Sequence, residues 1–270
     1  MSDPLVTAVR AGVRLIELGQ PFFTGMPCSP NHPGFRMTLA RRHGDTIRPD
    51  GGSAANEIIV TGGHVGTHID ALSHVSHDGR LHGGVDAHRA QAGGSFSAHG
   101  AEHLPGMLCR GVLLDVARVH DTEVLPGGYE ITVEDLRLAA ELAGVTPEPG
   151  DVALIRTGWA RRFDDAEAYL GNGCGVPGVG VDAARWLVAQ GVIATGADTT
   201  AYERIAPGAG HRVLPVHRVL LVEAGVYILE HLALEELSRS GTTEFVFLLA
   251  PLRIVGGTGS PVRPLAAVRR

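Results

Sequence analysis

The chain is poor in cysteine and aromatic residues, has no basic excess and carries no long apolar run. Its three cysteines, Cys28, Cys109 and Cys174, lie far apart and form no C-x-x-C pair. Zinc-ribbon and thioredoxin-like readings therefore fail, and free thiols in a reducing cytoplasm are expected. A formal net charge of −6 and a pI near 6.1 give no electrostatic case for nucleic acid; Arg41-Arg42 and Arg161-Arg162 are isolated basic doublets, and small-molecule chemistry is the better expectation. No apolar stretch reaches the ~18 residues of a membrane span, and Met1-Ser2-Asp3-Pro4 lacks the basic and apolar regions of a signal peptide. The expectation is a cytoplasmic protein that does not engage a membrane. No G-x-S-x-G elbow supports a serine hydrolase, and Gly256-Gly257-Thr258-Gly259 is too short and wrongly placed for a phosphate loop. Aromatic residues make up only 5% of the chain, so composition gives no support for a stacking pocket. With no Pro/Ser-rich linker, charge block or internal repeat, residues 1–270 are expected to form a single domain.

What the chain does have is concentrated in His64-Val65-Gly66-Thr67-His68-Ile69-Asp70-Ala71-Leu72-Ser73-His74, with three histidines and a carboxylate at offsets 0, 4, 6 and 10. On a helix Asp70 would point about 240° away from His64, at about 100° per residue. On a strand His64 and His68 would stand roughly 13 Å apart, whereas ligands of one ion sit about 2.0–2.2 Å from it. The chain must therefore fold back between the two histidines, and Gly62, Gly63 and Gly66 permit it. Beyond the bend, His68 and Asp70 fall on one side of an extended segment. The expected object is a bent loop entering a strand and gripping a divalent cation; a histidine-rich surface loop is the bland alternative. Imidazole and carboxylate without thiolate suit Zn, Mn, Fe or Ni.

Hydrophobic content of 44% is enough for a sizeable core, and 37 glycines imply many tight turns. Residues 13–18, 57–60 and 111–116 read as strands bounded by glycine or turn residues. Residues 151–157, 192–196 and 245–250 read as buried strands. A helix follows Thr132 as N-cap and stops at Gly144, and a second runs from Val181 to Gly191. Strand and helix alternate through the C-terminal half, which argues for an α/β fold with a mixed sheet. Trp159 and Trp186 read as core.

His64-x-Gly66-Thr67-His68-x-Asp70 with His74 resembles the H-x-G-T-H-x-D-x-P-x-H signature of the cyclase family of metal-dependent hydrolases, which includes bacterial kynurenine formamidases and isatin hydrolases. Further landmarks follow in order: Glu17-Leu18-Gly19 with Gly25-Met26-Pro27, Leu154 to Trp159, Gly196-Ala197-Asp198-Thr199, His217 to Leu221 with Ile228 to Leu232, and Pro251 to Pro264. Leu72 stands where the signature has proline, and Val75 where an aromatic often follows. The stretch between His74 and Asp151 is longer than in typical kynurenine formamidases, which leaves the substrate open.

The resemblance implies a single domain with a mixed, barrel-like β-sheet flanked by helices, of the swivelling β/β/α type. It implies that His64, His68 and Asp70 bind a divalent ion, Zn2+ or Mn2+, and that His217 and Glu230 complete a second, bridged site in two-ion members. Glu230 follows the apolar run Val226 to Leu229, where an unpaired carboxylate would be expensive to bury. His74, close to the ligands without being needed to complete them, is assigned to acid/base work, with a further ligand as the alternative. Among the other histidines His82 is the best candidate for substrate contact, while His77 and His88 read as loop residues, and His99, His103, His120, His211 and His231 as ordinary structural ones. Asp198-Thr199 reads as a turn ordering the site. The implied function is hydrolysis of an amide, cyclic amide or imide (arylformamidase- or isatin-hydrolase-like) by metal-activated water with a histidine proton shuttle. The alternatives are a lactone hydrolase, a metal-dependent cyclase or lyase acting on a polyketide-like carbonyl compound, and a non-catalytic metal-binding protein. Family members tend to be homodimers or larger homo-oligomers.

Overall fold

The structure is a computed structural model and describes residues 3–269. Its strands are β1 (Val13–Glu17), β2 (Arg36–Arg41), β3 (Asn56–Val60), β4 (His68–Asp70), β5 (Met107–Asp115), β6 (Glu130–Ile131), β7 (Val152–Arg156), β8 (Gly178–Val179), β9 (Ala194–Ala197), β10 (Tyr227–Glu230), β11 (Glu244–Leu249), β12 (Gly259–Pro261) and β13 (Leu265–Arg269). A strongly curled, mixed nine-stranded half-barrel runs in the order β1-β13-β11-β5-β7-β9-β10-β4-β12. β5, β7, β9 and β10 are parallel neighbours, and the flanking pairs are antiparallel. This is the α/β architecture with a mixed, barrel-like sheet expected from the sequence.

Burial explains the pattern. β7 and β9 are buried at every position, as parallel strands covered on both faces require. Side chains alternate across the pleat: Leu114 and Ile155 join a core with the helices, whereas Leu113 and Leu154 join a second core with Ile16 and Phe247 on the other face. β11 differs from the continuous buried strand expected at 245–250. Phe245, Phe247 and Leu249 are buried while Glu244 and Val246 face solvent, the alternation of an antiparallel strand with one wet face. β3 forms as expected, but outside the large sheet, in an antiparallel hairpin with β2 whose residues are all exposed.

The helix Val133–Ala143 begins with a reciprocal capping box. Thr132 Oγ1 accepts from the Asp135 backbone N–H, and the Asp135 carboxylate accepts from that of Thr132 at 2.8 Å, an arrangement worth about 1 kcal/mol. It stops at Gly144 with φ 67°, and the helix Val181–Gln190 at Gly191 with φ 79°. Leu136 and Leu187 are fully buried under these helices, and truncating either to alanine would cost about 2–5 kcal/mol. Trp159 is fully buried, whereas Trp186 packs half-buried on the helical core. Among the described residues no helix is long and apolar enough to cross a membrane.

Candidate metal centre

The loop before β4 bends where the spacing requires. Gly66 has φ 61°, and a Cβ there would lie 2.6 Å from Met26 Cε and 2.8 Å from Phe22 Cζ, so both the left-handed backbone and the close packing demand glycine. The reversal brings the His64 and His68 rings to 5.1 Å between centroids. His68 and Asp70 then share one side of β4. Register does the rest, because β10 places Glu230 directly opposite His68 and β12 places Gly259 opposite Asp70. A Cβ at Gly259 would stand 2.6 Å from His64 Cε1. Glu230 ends β10 beside the carboxyl ends of the parallel strands β7 and β9, where open α/β sheets commonly bind ligands. His217 closes the short helix Pro215–His217, which passes into a π-helical segment, Arg218–Ala224, that ends at Gly225 with φ 71°.

Asp70 is the hub. Its Oδ1 lies 2.8 Å from His64 Nδ1 and 3.4 Å from His68 Nε2, and its Oδ2 3.6 Å from His217 Nε2. Glu230 Oε2 is 3.4 Å from His68 Nε2 and its Oε1 3.2 Å from His217 Nε2. Donor atoms form three overlapping triplets, each within 4.8 Å: His64 with Asp70 and His74, Asp70 with His217 and Glu230, and His68 with Glu230 and His231. Two carboxylate oxygens, Asp70 Oδ2 and Glu230 Oε1, are buried without a hydrogen-bond partner among the described residues. Orphaned charge of this kind is costly in a protein interior, and a divalent cation beside imidazoles and carboxylates removes the cost. The residues present therefore fit the implied ion, and a donor set without thiolate suits zinc or manganese.

The electrostatics follow. Burial opposes charge on His217, but Glu203, Glu230 and Asp70 outweigh it and raise the imidazole to about 10. His68 is likewise raised against burial by Asp70 and Glu230. Burial pushes Asp70 upward, yet the surrounding His74, His64 and His68 hold its carboxyl well below the usual range. Burial dominates at His74, which drops to about 3 despite Asp70 and is a neutral imidazole at ordinary pH. Its ring stacks on His64 at 3.8 Å and 25°, close enough for either role the sequence left to it.

Several neighbours escaped the sequence reading. Glu203 is buried and accepts from His217 Nδ1 at 2.6 Å and from the backbone N–H groups of Val216 and His217 at 3.1 and 3.0 Å. It thereby fixes the imidazole's orientation. His231, read as an ordinary structural histidine, is buried at φ 55° with its ring 5.8 Å from that of His68. The adjacent Glu230-His231 pair was the available signal for it; for Glu203 there was none, since its partner lies across a loop. His82 is not brought to the cluster. Its Nδ1 pairs with the Val222 carbonyl at 3.0 Å and it does not line the cavity, so the expected substrate contact has no geometric support. Asp198 is the ordering residue its turn suggested: its carboxylate accepts from the backbone N–H groups of Thr157 and Gly158 at 2.9 and 2.8 Å, and burial pushes it up to about 6. The Thr199 carbonyl then accepts from the His231 backbone N–H at 3.0 Å.

Comparison with known proteins bears on the fold and the family. An isatin hydrolase of Roseibium aggregatum is 32% identical over 123 residues, covering 44% of this chain and 45% of the relative, so the match spans about half of that protein. A crystal structure described as a novel cyclase superposes with a TM-score of 0.84 at 31% identity, covering 98% of this chain and 93% of its own. Isatin hydrolase A from Labrenzia aggregata, bound to benzyl benzoate, gives a TM-score of 0.73 at 25% identity, with 98% of both chains covered. The profile of the family described as "Putative cyclase" matches residues 16–204, the span that contains the bent histidine loop and the Asp198 turn, and the chain belongs to that family.

Proposed function

We propose that this chain is a metal-dependent hydrolase that opens an amide, cyclic amide, imide or related carbonyl bond, with His64, His68, Asp70, His217 and Glu230 holding one or two Zn2+ or Mn2+ ions. The observation that carries the reading is the convergence of Asp70 and Glu230 on His217, with an orphaned oxygen on each carboxylate. Similarity to the isatin hydrolase supports a hydrolytic reaction. When bound, the ion supplies Lewis acidity and activates water near neutral pH. His74, stacked on His64 beside the cluster, accepts the water proton and returns it to the leaving nitrogen. Glu203 keeps His217 in one orientation. Self-association as a homodimer or larger assembly is part of the proposal; the exposed apolar residues of the β2–β3 hairpin, Met37, Leu39, Ile58, Ile59 and Val60, support it, and light scattering tests it.

The experiment is metal analysis of the purified protein coupled to a screen of formamides, cyclic imides, isatin and lactones in oxygen-18 water. Hydrolysis adds one water and incorporates the label at the new carboxylate. Cyclisation or dehydration of a carbonyl substrate without label uptake would replace the hydrolase reading. Stoichiometric metal with no turnover of any compound would end it.

A further inference from the structure

We propose that the substrate is a small, single-ring amide, imide or lactone carrying an anionic arm, and that Arg212 receives that arm. This rests on the hydrolase reading above and narrows it.

The cavity at the metal cluster has a volume of about 180 Å³. A cavity of roughly 150 Å³ holds a single benzene-sized ring, and here the space must also contain the ion. A single ring beside the ion matches that volume. Outside the proposed ligands, His74 and His231, the wall is built of Ser29, Asn31, His32, Thr200 and His211, with Ala201 and Leu214 as its only apolar members. No Phe, Tyr or Trp lines it. Among the described residues neither the His32 nor the His211 ring, nor the Asn31 side-chain amide, has a hydrogen-bond partner within the protein, so each is free to serve a ligand. An unsubstituted aryl ring would cover these groups and pair none of them, which a site of this composition penalises.

Asn31 and His211 also line a second cavity of about 570 Å³ that adjoins the first. Its walls are mostly glycine-rich turns, again without an aromatic side chain, and Arg212 is its only charged side chain. Arg212 is exposed and forms no ion pair among the described residues, so its guanidinium is open to a ligand. A guanidinium of this kind offers a carboxylate two parallel hydrogen bonds. The bound substrate would set its scissile carbonyl at the cluster beside His74 and His217, pass its ring edge between Asn31 and His211, and present its carboxylate to Arg212. Reaction then breaks the ring C–N or C–O bond: the carbonyl carbon gains hydroxyl from water, and the leaving nitrogen or oxygen gains the proton. The product is an open chain with two carboxylates.

The test measures kcat/KM of the metal-loaded enzyme for hydantoin-5-acetic acid, its methyl ester, succinimide, a carboxylated γ-butyrolactone, isatin, phthalimide and N-formylkynurenine. A carboxylated single ring is expected to exceed every aryl compound by tenfold or more. Arg212→Gln is expected to raise KM for that carboxylated ring about tenfold, with kcat, metal content and KM for an uncharged ester little changed. Preference for isatin, phthalimide or N-formylkynurenine would overturn the inference while leaving the hydrolase reading intact. An Arg212→Gln enzyme with wild-type KM for the carboxylated ring would also overturn it. Stoichiometric metal with no turnover of any compound would instead remove the hydrolase reading on which the inference stands.

Discussion

Replacing Glu203 by glutamine tests whether the centre is held from behind. In the native chain one carboxylate serves three donors: Oε1 accepts from His217 Nδ1 at 2.6 Å and from the His217 backbone N–H at 3.0 Å, and Oε2 accepts from the Val216 backbone N–H at 3.1 Å. Glutamine keeps the volume but turns one oxygen into a donor. If its remaining oxygen faces His217, the Val216 N–H is left buried opposite an NH2 group. A buried donor without an acceptor costs about 1–3 kcal/mol, and the hydrogen bond to His217 loses its charge assistance. The metal-free protein should therefore melt about 2–12 °C lower, using the usual shift of about 2–4 °C per kcal/mol for a large domain. Weaker support of a metal-binding histidine typically costs 10–100-fold in affinity. Chelator-competition titration with zinc should show that loss, and thermal unfolding of the metal-free protein should show the stability change. Wild-type zinc affinity together with an unchanged melting temperature would refute the argument that Glu203 orients His217.

His74→Asn should retain stoichiometric metal while lowering kcat by about 10²–10⁴, the range for losing a general acid/base. Asp70→Ala should lose the metal; full activity in a His74→Ala enzyme would rule out the proton-transfer role. Gly66→Ala should destabilise the protein and weaken metal binding together, because its Cβ would lie 2.6 Å from Met26 Cε at a φ of 61°; far-UV unfolding and a zinc titration check both. The metal-free protein should be most stable near pH 6.5 in denaturant titrations. His217, raised to about 10, contributes stability that is complete below its unfolded value of about 6.5 and is lost as pH rises through 10. His74, depressed to about 3, acts oppositely, since below about 6.5 the unfolded chain takes up a proton the folded chain refuses. Each limb should slope by up to about 1.4 kcal/mol per pH unit. A flat profile between pH 5 and 9 would contradict both shifts.

The sequence made legible those parts that depend on short-range pattern. The helices Val133–Ala143 and Val181–Gln190 start and stop where Thr132, Gly144 and Gly191 indicated, because caps are local chemistry. The buried runs of β7 and β9 were equally visible. The bend at Gly66 followed from distance alone, since neither helix nor strand could bring His64 and His68 together. What depends on long-range pairing was hidden. β3 has the composition of a core strand yet lies exposed in a hairpin with β2, because periodicity reports a strand without reporting its neighbours. Glu203 and His231 reach the centre only through the loop after β9 and the end of β10. His82 looked promising for the converse reason: it is close in sequence to the ligands but is tied to the Val222 carbonyl away from the cavity.

The substitution of Leu72 for the signature proline shows how the fold compensates within the motif itself. Proline would fix φ in the turn after Asp70. Leucine leaves that angle free, but the side chain is buried in the helical-face core with Leu114, Ile155 and Leu220. The Ser73 N–H is bonded to the His99 carbonyl at 3.2 Å and the His74 N–H to that of Ala71 at 2.9 Å. Stiffness that proline would supply through its ring is supplied here by packing and two backbone hydrogen bonds. One of those bonds ties His74 directly to the segment that carries Asp70. The segment between His74 and β5 therefore contributes to the centre through the His99 carbonyl, as a brace on the turn that sets the distance between Asp70 and His74.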